Sequence, residues 1–371
     1  MRTDELDYDF DASLVATEPA HPRDAARLMV IDRAKGSIEH ATVRDLPRFL
    51  GTGDALVVNR TSVLRARVLL RELADDGATG RATEGLLLEP CAQPSHWRVL
   101  LRQAKRFASG ARLALVDQRG DATQDSLELV ARDAEAWIAR LVPGALGGDV
   151  AEILERSGHT PLPPYILKAR RDAGLLIDDD EDRAEYETVY ADRAMRGSVA
   201  APTAGLHFTR ELLDEIATKG VATHELVLHV GAGTFKPIEV DDLRDHPMHT
   251  ESFRVPATTL RALHDAHEAR RAGRARLVAV GTTTVRALES LPDPLPGADR
   301  GDHGALTNIL ISPGHRFRFV DALLTNFHLP RSTLLALVGA FTGMELMREA
   351  YATAVHERYR FYSYGDAMLI V

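Results

Sequence analysis

The chain has 371 residues, 45% of them apolar and 27% charged, which is enough for a large core and for two domains of ordinary size. Its 45 basic and 54 acidic side chains leave a net charge of −9, arguing against indiscriminate nucleic-acid binding while leaving room for a local basic face. A single cysteine, Cys91, excludes an internal disulfide and a cysteine-built zinc site.

The opening "MRTDELDYDFD" is acidic and lacks the apolar core of a signal peptide. The longest apolar run, "LLALVGAF" (334–341), is far short of the ~20 residues that cross a bilayer. A cytoplasmic, membrane-free protein is expected. Residues 62–142 read as short strands, "VLRARVLL", "EGLLLE", "WRVLLR", "ARLALV" and "SLELVA", punctuated by Gly, Asp, Ser and Pro, which suits a small antiparallel β-barrel or sandwich. Arg65 and Arg67 share one strand face, because side chains repeat every second residue. Residues 98–112, "RVLLRQAKRFASGAR", hold five basic side chains and no acidic one. Arg65, Arg67, Arg102, Lys105 and Arg106 are therefore candidates for a phosphate-contacting surface, set against ordinary solvated arginines.

After Gly147-Gly148 the texture changes. "DVAEILERSG" reads as a helix ending at Gly158, "PLPPYI" as an extended stretch, and "IDDDEDRAEYE" (177–187) as a solvated loop. From about residue 197 the pattern is α/β. Thr209 caps a helix stopped by Gly220, "ELVLHV" (225–230) is a central strand, and a helix runs from about Thr259 to Ala272. "RLVAVG" (276–281) turns directly into the helix "TTTVRALES", a last helix follows "TNFHLPRS", and "AMLIV" is a buried strand. The predicted fold class is thus α/β. A large α/β domain with a mixed sheet, discontinuous over 1–61 and 149–371, carries an inserted small antiparallel β-barrel domain over 62–148.

Three Gly- or Thr-rich turns follow candidate strands, at 197–205, 230–235 and 280–285. In such sheets ligands gather beyond the carboxyl ends of strands, glycine lets backbone approach a ligand, and a helix start presents free N–H groups to an anion. The threonines at 282–284 also suffice simply to cap their own helix. "GAGTFK" has Lys236 where a dinucleotide fingerprint has its third glycine, and no P-loop or G-x-S-x-G elbow occurs. In "DHPMHTESFRV" an extended backbone puts His249 and Glu251 on one face, as a coupled acid and base; His246, His249 and Glu251 could alternatively hold a metal, and an ordinary hydrogen-bonded loop is the plainest option. His207, His229 and His328 each lie beside a Gly or Pro turn, and each alone is as well explained as a satisfied core histidine.

"GSVAAPTAGLHFT", "LHVGAGTF", "HPMHTES", "AVGTTTVRALES", "LLTNFHLPRSTLLALV" and "YRFYSYGDAMLI", in that order, resemble the S-adenosylmethionine:tRNA ribosyltransferase-isomerase family of queuosine biosynthesis. "RDAARLMVIDR", "PLPPYI" and "ETVYA" extend the likeness over nearly the whole chain. The resemblance implies two substrates, S-adenosylmethionine and a tRNA carrying 7-aminomethyl-7-deazaguanine at the wobble position. The ribosyl group moves to the aminomethyl arm and rearranges to an epoxycyclopentane, releasing adenine and methionine and leaving epoxyqueuosine. S-adenosylmethionine is then a co-substrate, no resident cofactor or metal is implied, and a monomer is expected.

On this likeness the S-adenosylmethionine site takes in Thr203, Ala204, Gly205, Gly231, Gly233, Thr234, Gly281, Thr282, Thr283, Arg286, Asn326 and Tyr364. His249, oriented by Glu251, is the expected base or acid. Asp366 is expected to stabilise the sulfonium or take a proton from the attacking ammonium, with His207 and His328 in reserve. Arg60 stands where the family commonly has Asp or Asn, residues 79–87 lack the usual Gly-Lys, and Glu187 replaces a common Gln. These departures point to a second possibility, a relative with another RNA or base acceptor; a non-catalytic RNA-binding relative is the third.

Overall fold

The computed structural model describes residues 1–74, 79–175, 178–231, 238–271 and 275–371. Its strands, in chain order, are β1 (Arg27–Asp32), β2 (Ser37–Thr42), β3 (Ala55–Asn59), β4 (Ser62–Val63), β5 (Arg67–Leu73), β6 (Thr79–Pro90), β7 (His96–Leu101), β8 (Arg112–Val116) and β9 (Ala122–Asp133). They continue as β10 (Ala136–Val142), β11 (Arg196–Ser198), β12 (Ala222–Leu228), β13 (Glu251–Val255), β14 (Leu277–Val280), β15 (His303–Thr307), β16 (Ala322–Asn326) and β17 (Ala367–Ile370). The helices are α1 (Leu46–Phe49), α2 (Val150–Ser157), α3 (Pro164–Asp172), α4 (Asp179–Glu185), α5 (Arg210–Thr218), α6 (Ala257–Arg271), α7 (Thr282–Glu289), α8 (Thr333–Thr342) and α9 (Met344–His356).

Nine strands form one mixed sheet in the order β15-β13-β12-β3-β14-β16-β17-β1-β2. The central β12, β3, β14 and β16 run parallel to their neighbours in that run, while β17 is antiparallel to β16. Buried on both faces, β3, β14, β16 and β17 read as unbroken apolar runs such as "ALVV" and "LVAV". Alternate residues feed two cores. Val57, Ala279 and Leu323 pack with α7, α8 and α9, whereas Leu56, Val58, Val278 and Leu324 pack with Phe208, Leu212 and Ile216 of the α5 region.

The chain leaves this sheet after β3 and returns to it at β12. In between, β5 to β10 form a separate six-stranded antiparallel sheet, paired in the order β10-β7-β6-β5-β8-β9, with β9 pairing back onto β10. The sequence reading found five strands there and missed "AWIARLV", which is β10.

Three further expectations are corrected. "PLPPYI" is extended only up to Pro163; α3 begins at Pro164, where the missing N–H of proline costs nothing. The acidic stretch is not a solvated loop. Asp178 accepts from the N–H groups of Asp180 and Glu181 and starts α4, whose first-turn acids suit the positive end of the helix, while Asp182 is buried against Arg170 at 2.6 Å. The single last helix is two, α8 and α9, broken at Gly343, whose φ of 87° suits glycine.

Candidate functional site

The parallel strands β14 and β16 end at the same edge of the large sheet, and β17, antiparallel to β16, starts there. Four segments meet beyond this edge and line a cleft of about 640 Å³, partly open to solvent: Ala201–Ala204, Gly281–Thr283, Thr325–Leu329 and Tyr362–Ser363. Their convergence follows from topology, since strand ends on one side of a sheet bring their loops together.

Each wall has a local cause. Gly281 has a φ of 90°, which turns β14 straight into α7, and its N–H donates to Leu324 O at 2.8 Å. The first N–H groups of α7, at Thr282 and Thr283, therefore face the cleft edge as a helix start. Thr284 Oγ1 donates back to Val280 O at 2.7 Å, but Thr283 Oγ1 is buried without a hydrogen-bond partner among the described residues. Such an atom is expensive to leave dry, so it suits a polar ligand group.

Asn326 joins the walls. Its Oδ1 accepts from Thr203 Oγ1 at 3.0 Å and its Nδ2 donates to Tyr362 O at 3.0 Å. Ala204 lines the cleft, while Gly205 sits behind it because a Cβ there would lie 1.9 Å from Tyr190 Oη. Tyr165, Tyr362, Ser363 and Ser332 also line the cleft and were missed by the sequence reading. Tyr165 meets Ser363 Oγ at 2.5 Å, a contact spanning 198 residues that no local pattern announces.

His328 lines the cleft with its Nε2 2.9 Å from Thr325 Oγ1. Burial pushes its imidazole down to about 3, so it is neutral at physiological pH. Because the folded value lies below the unfolded one near 6.5, unfolded chains bind the extra proton. Stability carried by this site is complete above about pH 6.5 and is lost as pH falls toward 3. His328→Gln is expected to flatten that part of the stability–pH curve, as measured by melting temperature between pH 7 and pH 4; an unchanged slope would contradict the assignment.

Two expected catalytic groups lie elsewhere. His207 is buried with Nδ1 3.0 Å from Ala204 O and Nε2 2.9 Å from Gly365 O; burial holds its imidazole below the usual value, so the neutral ring donates to one of these two carbonyls. Asp366 accepts from the backbone N–H of Arg27 at 2.9 Å and of Arg360 at 2.7 Å. Both are outside the cleft lining and serve the backbone. Tyr364 is likewise outside it, packed edge-on to Tyr186.

Nor do His249 and Glu251 form the expected couple. The strand starts only at Glu251; His249 is exposed, and no hydrogen bond joins the two among the described residues. Buried Glu251 accepts from Gly231 N–H at 3.0 Å and forms an ion pair with Arg286 of α7. Burial lowers the Arg286 guanidinium to about 10, which leaves it charged. Gly231 is thus anchored to Glu251, whereas Gly233 and Thr234 lie outside the described residues.

The proposed basic face divides. Arg65 is turned inward, with Nη1 donating to Glu155 O at 3.1 Å and Nη2 3.6 Å from Asp180. Arg67 Nε donates to Glu84 Oε1 at 2.5 Å. Arg65 precedes β5, whose first residue, Arg67, pairs by backbone with His159 after α2, and groups of the chain itself take up both guanidiniums. Arg102 and Lys105 are exposed; Arg106 is half-buried, donating to Gln103 and to Ala82 O. Arg60, one of the departures, is held by Glu225 and by Asp192 at 2.7 Å, so acids within the chain absorb its charge.

The profile of the family described as "Queuosine biosynthesis protein" matches residues 3–370. A relative from Symbiobacterium thermophilum, named S-adenosylmethionine:tRNA ribosyltransferase-isomerase, is 45% identical over 371 residues, covering all of both chains. One from Geobacter metallireducens with the same name is 44% identical over 373 residues, again covering all of both. The crystal structure of the S-adenosylmethionine tRNA ribosyltransferase of Thermotoga maritima is 34% identical, with a TM-score of 0.52 over 99% of this chain and 100% of that one. With its whole length matched, this chain belongs to the queuosine biosynthesis protein family.

Proposed function

We propose that the protein transfers the ribosyl moiety of S-adenosylmethionine to 7-aminomethyl-7-deazaguanine in the tRNA wobble position and isomerises it, giving epoxyqueuosine, adenine and methionine. The observation that carries this reading, beside the family membership, is the cleft at the strand ends. Its walls combine backbone and small side chains at 201–204 and 281–283 with the rings of Tyr165, Phe327, His328 and Tyr362, and a helix start and the unpartnered Thr283 hydroxyl lie at one end. The N–H groups of Thr282 and Thr283 and the Thr283 hydroxyl suit the methionine carboxylate. Neutral His328 acts as a hydrogen-bond partner, with one ring nitrogen donating and the other accepting, because burial keeps the imidazolium from forming at pH 7. The nucleophile is the RNA's amine, so the protein needs no activated Ser or Cys. We also read the six-stranded ring between Arg67 and Val142 as the small inserted barrel domain, with exposed Arg102 and Lys105 available to RNA phosphates.

His249 is retained as the proposed proton-transfer residue, on the exposed segment whose next residue, Thr250, lines a neighbouring cleft. His249→Ala is expected to lower turnover about 10²-fold or more, in keeping with general acid–base groups. Activity within a few-fold of wild type removes it from the role. The function itself is tested by incubating the protein with S-adenosylmethionine and tRNA bearing the aminomethyl base, reading adenine release and the tRNA mass together. Adenine without a mass shift favours the altered-acceptor reading, and neither product contradicts the proposal.

A further inference from the structure

A second cleft, with about 1300 Å³ of non-atom space partly open to solvent, lies between the six-stranded ring and the β12–β13 edge of the large sheet. Trp97 and Pro90 of the ring, Val150 of α2, and His229, Gly231 and Glu251 of the large-sheet side line it. Val230 lines this cleft and the first one, so one residue's thickness of wall is common to both. Trp97 packs in part against the core of the ring and is otherwise uncovered. Glu89, Asp149, Glu251 and Arg196 also line it, with Glu89 paired to Arg98 at 2.5 Å, Glu251 to Arg286, and Arg196 3.1 Å from Glu155.

A partly uncovered aromatic side chain in a cleft whose charges are largely paired suits a flat base. Enzymes that act on a base in RNA work on splayed, single-stranded nucleotides, which stack on aromatic side chains. A two-substrate transfer also requires the reacting atoms to come within about 3–3.5 Å, hence pockets that share a wall.

We propose that the second cleft receives the extruded acceptor base of the RNA, stacked on Trp97, with its aminomethyl arm directed over the Val230–Gly231 wall toward the donor in the first cleft. This assignment rests on the transfer reaction proposed above.

The protein's two tryptophans make the test direct. Trp137 is buried in the ring's core and is a constant background, so Trp97 is the reporter. An anticodon stem-loop RNA with the aminomethyl base is expected to quench the fluorescence, and the same RNA with an abasic wobble position is expected not to. Trp97→Ala is expected to raise the KM for the RNA roughly tenfold, within the range of base–aromatic stacking, with S-adenosylmethionine affinity by calorimetry unchanged. Trp97→Phe is expected to recover most of the loss. Equal quenching by the abasic RNA, an unchanged KM in Trp97→Ala, or parallel loss of S-adenosylmethionine affinity overturns the assignment. If the wild type fails to modify this RNA at all, the functional reading falls and takes the assignment with it; turnover intact with Trp97 silent overturns the assignment alone.

Discussion

Arg286→Met is expected to lower folding stability by about 3–5 kcal/mol, since it breaks a buried ion pair by removing one partner. Both side chains are buried, so water does not replace the lost partner. The loss also bears on the site. Glu251 holds the N–H of Gly231, and Arg286 projects from α7, whose first residues edge the cleft. Chemical denaturation provides the measurement. Adding Glu251→Gln to the variant removes the remaining charge of the pair and keeps an acceptor for Gly231. The double variant is expected to regain about half the loss or more. A single-variant loss below about 1 kcal/mol would contradict a buried, charged pair.

The second large effect is expected at Asn326. Asn326→Leu keeps the branching but strands the hydroxyl of Thr203 and the carbonyl of Tyr362, each at about 1–3 kcal/mol when buried. It also unties the two walls that Asn326 joins. Because misplacement of binding groups by about 1 Å costs on the order of 10²-fold, kcat/KM for S-adenosylmethionine is expected to drop by about that factor. Thr203→Ser keeps the hydroxyl and is expected to stay near wild type, whereas Thr203→Val reproduces part of the loss. Steady-state kinetics of adenine release decides it. Asn326→Leu within a few-fold of wild type would mean that the clasp does not shape the cleft.

How much of this was legible in the sequence depends on the reach of each interaction. The turns at Gly281 and Ala204 were legible because a strand running into glycine and then a helix is a local pattern, and strand ends share one side of the sheet. The helix start at Thr209 was equally local, its hydroxyl capping Leu212 N–H three residues away. His207 stood out as a polar residue beside a glycine turn and Asp366 through the family likeness, and neither signal carries a mark of the residue's partner. Their partners, Gly365 O and Arg27 N–H, lie 158 and 339 residues away. Arg65 failed for the same reason: strand alternation gave its face, but the carbonyl of Glu155 that claims it is 90 residues on. The α4 helix could have been found from Asp178 as a cap before acids that suit a helix start, a signal outweighed by the density of charge. Trp97 carried no signal as one aromatic in a strand; only the meeting of two sheets gives it a cleft to face.

The most direct measurement of the central claim is a crystal structure of the protein soaked with S-adenosylmethionine. The account predicts the ligand between Ala201–Ala204, Gly281–Thr283, Thr325–Leu329 and Tyr362–Ser363, with its carboxylate on the N–H groups and hydroxyl of Thr283 and its ribose toward Val230. Density for the ligand in another part of the molecule, with this cleft holding only solvent, would contradict it.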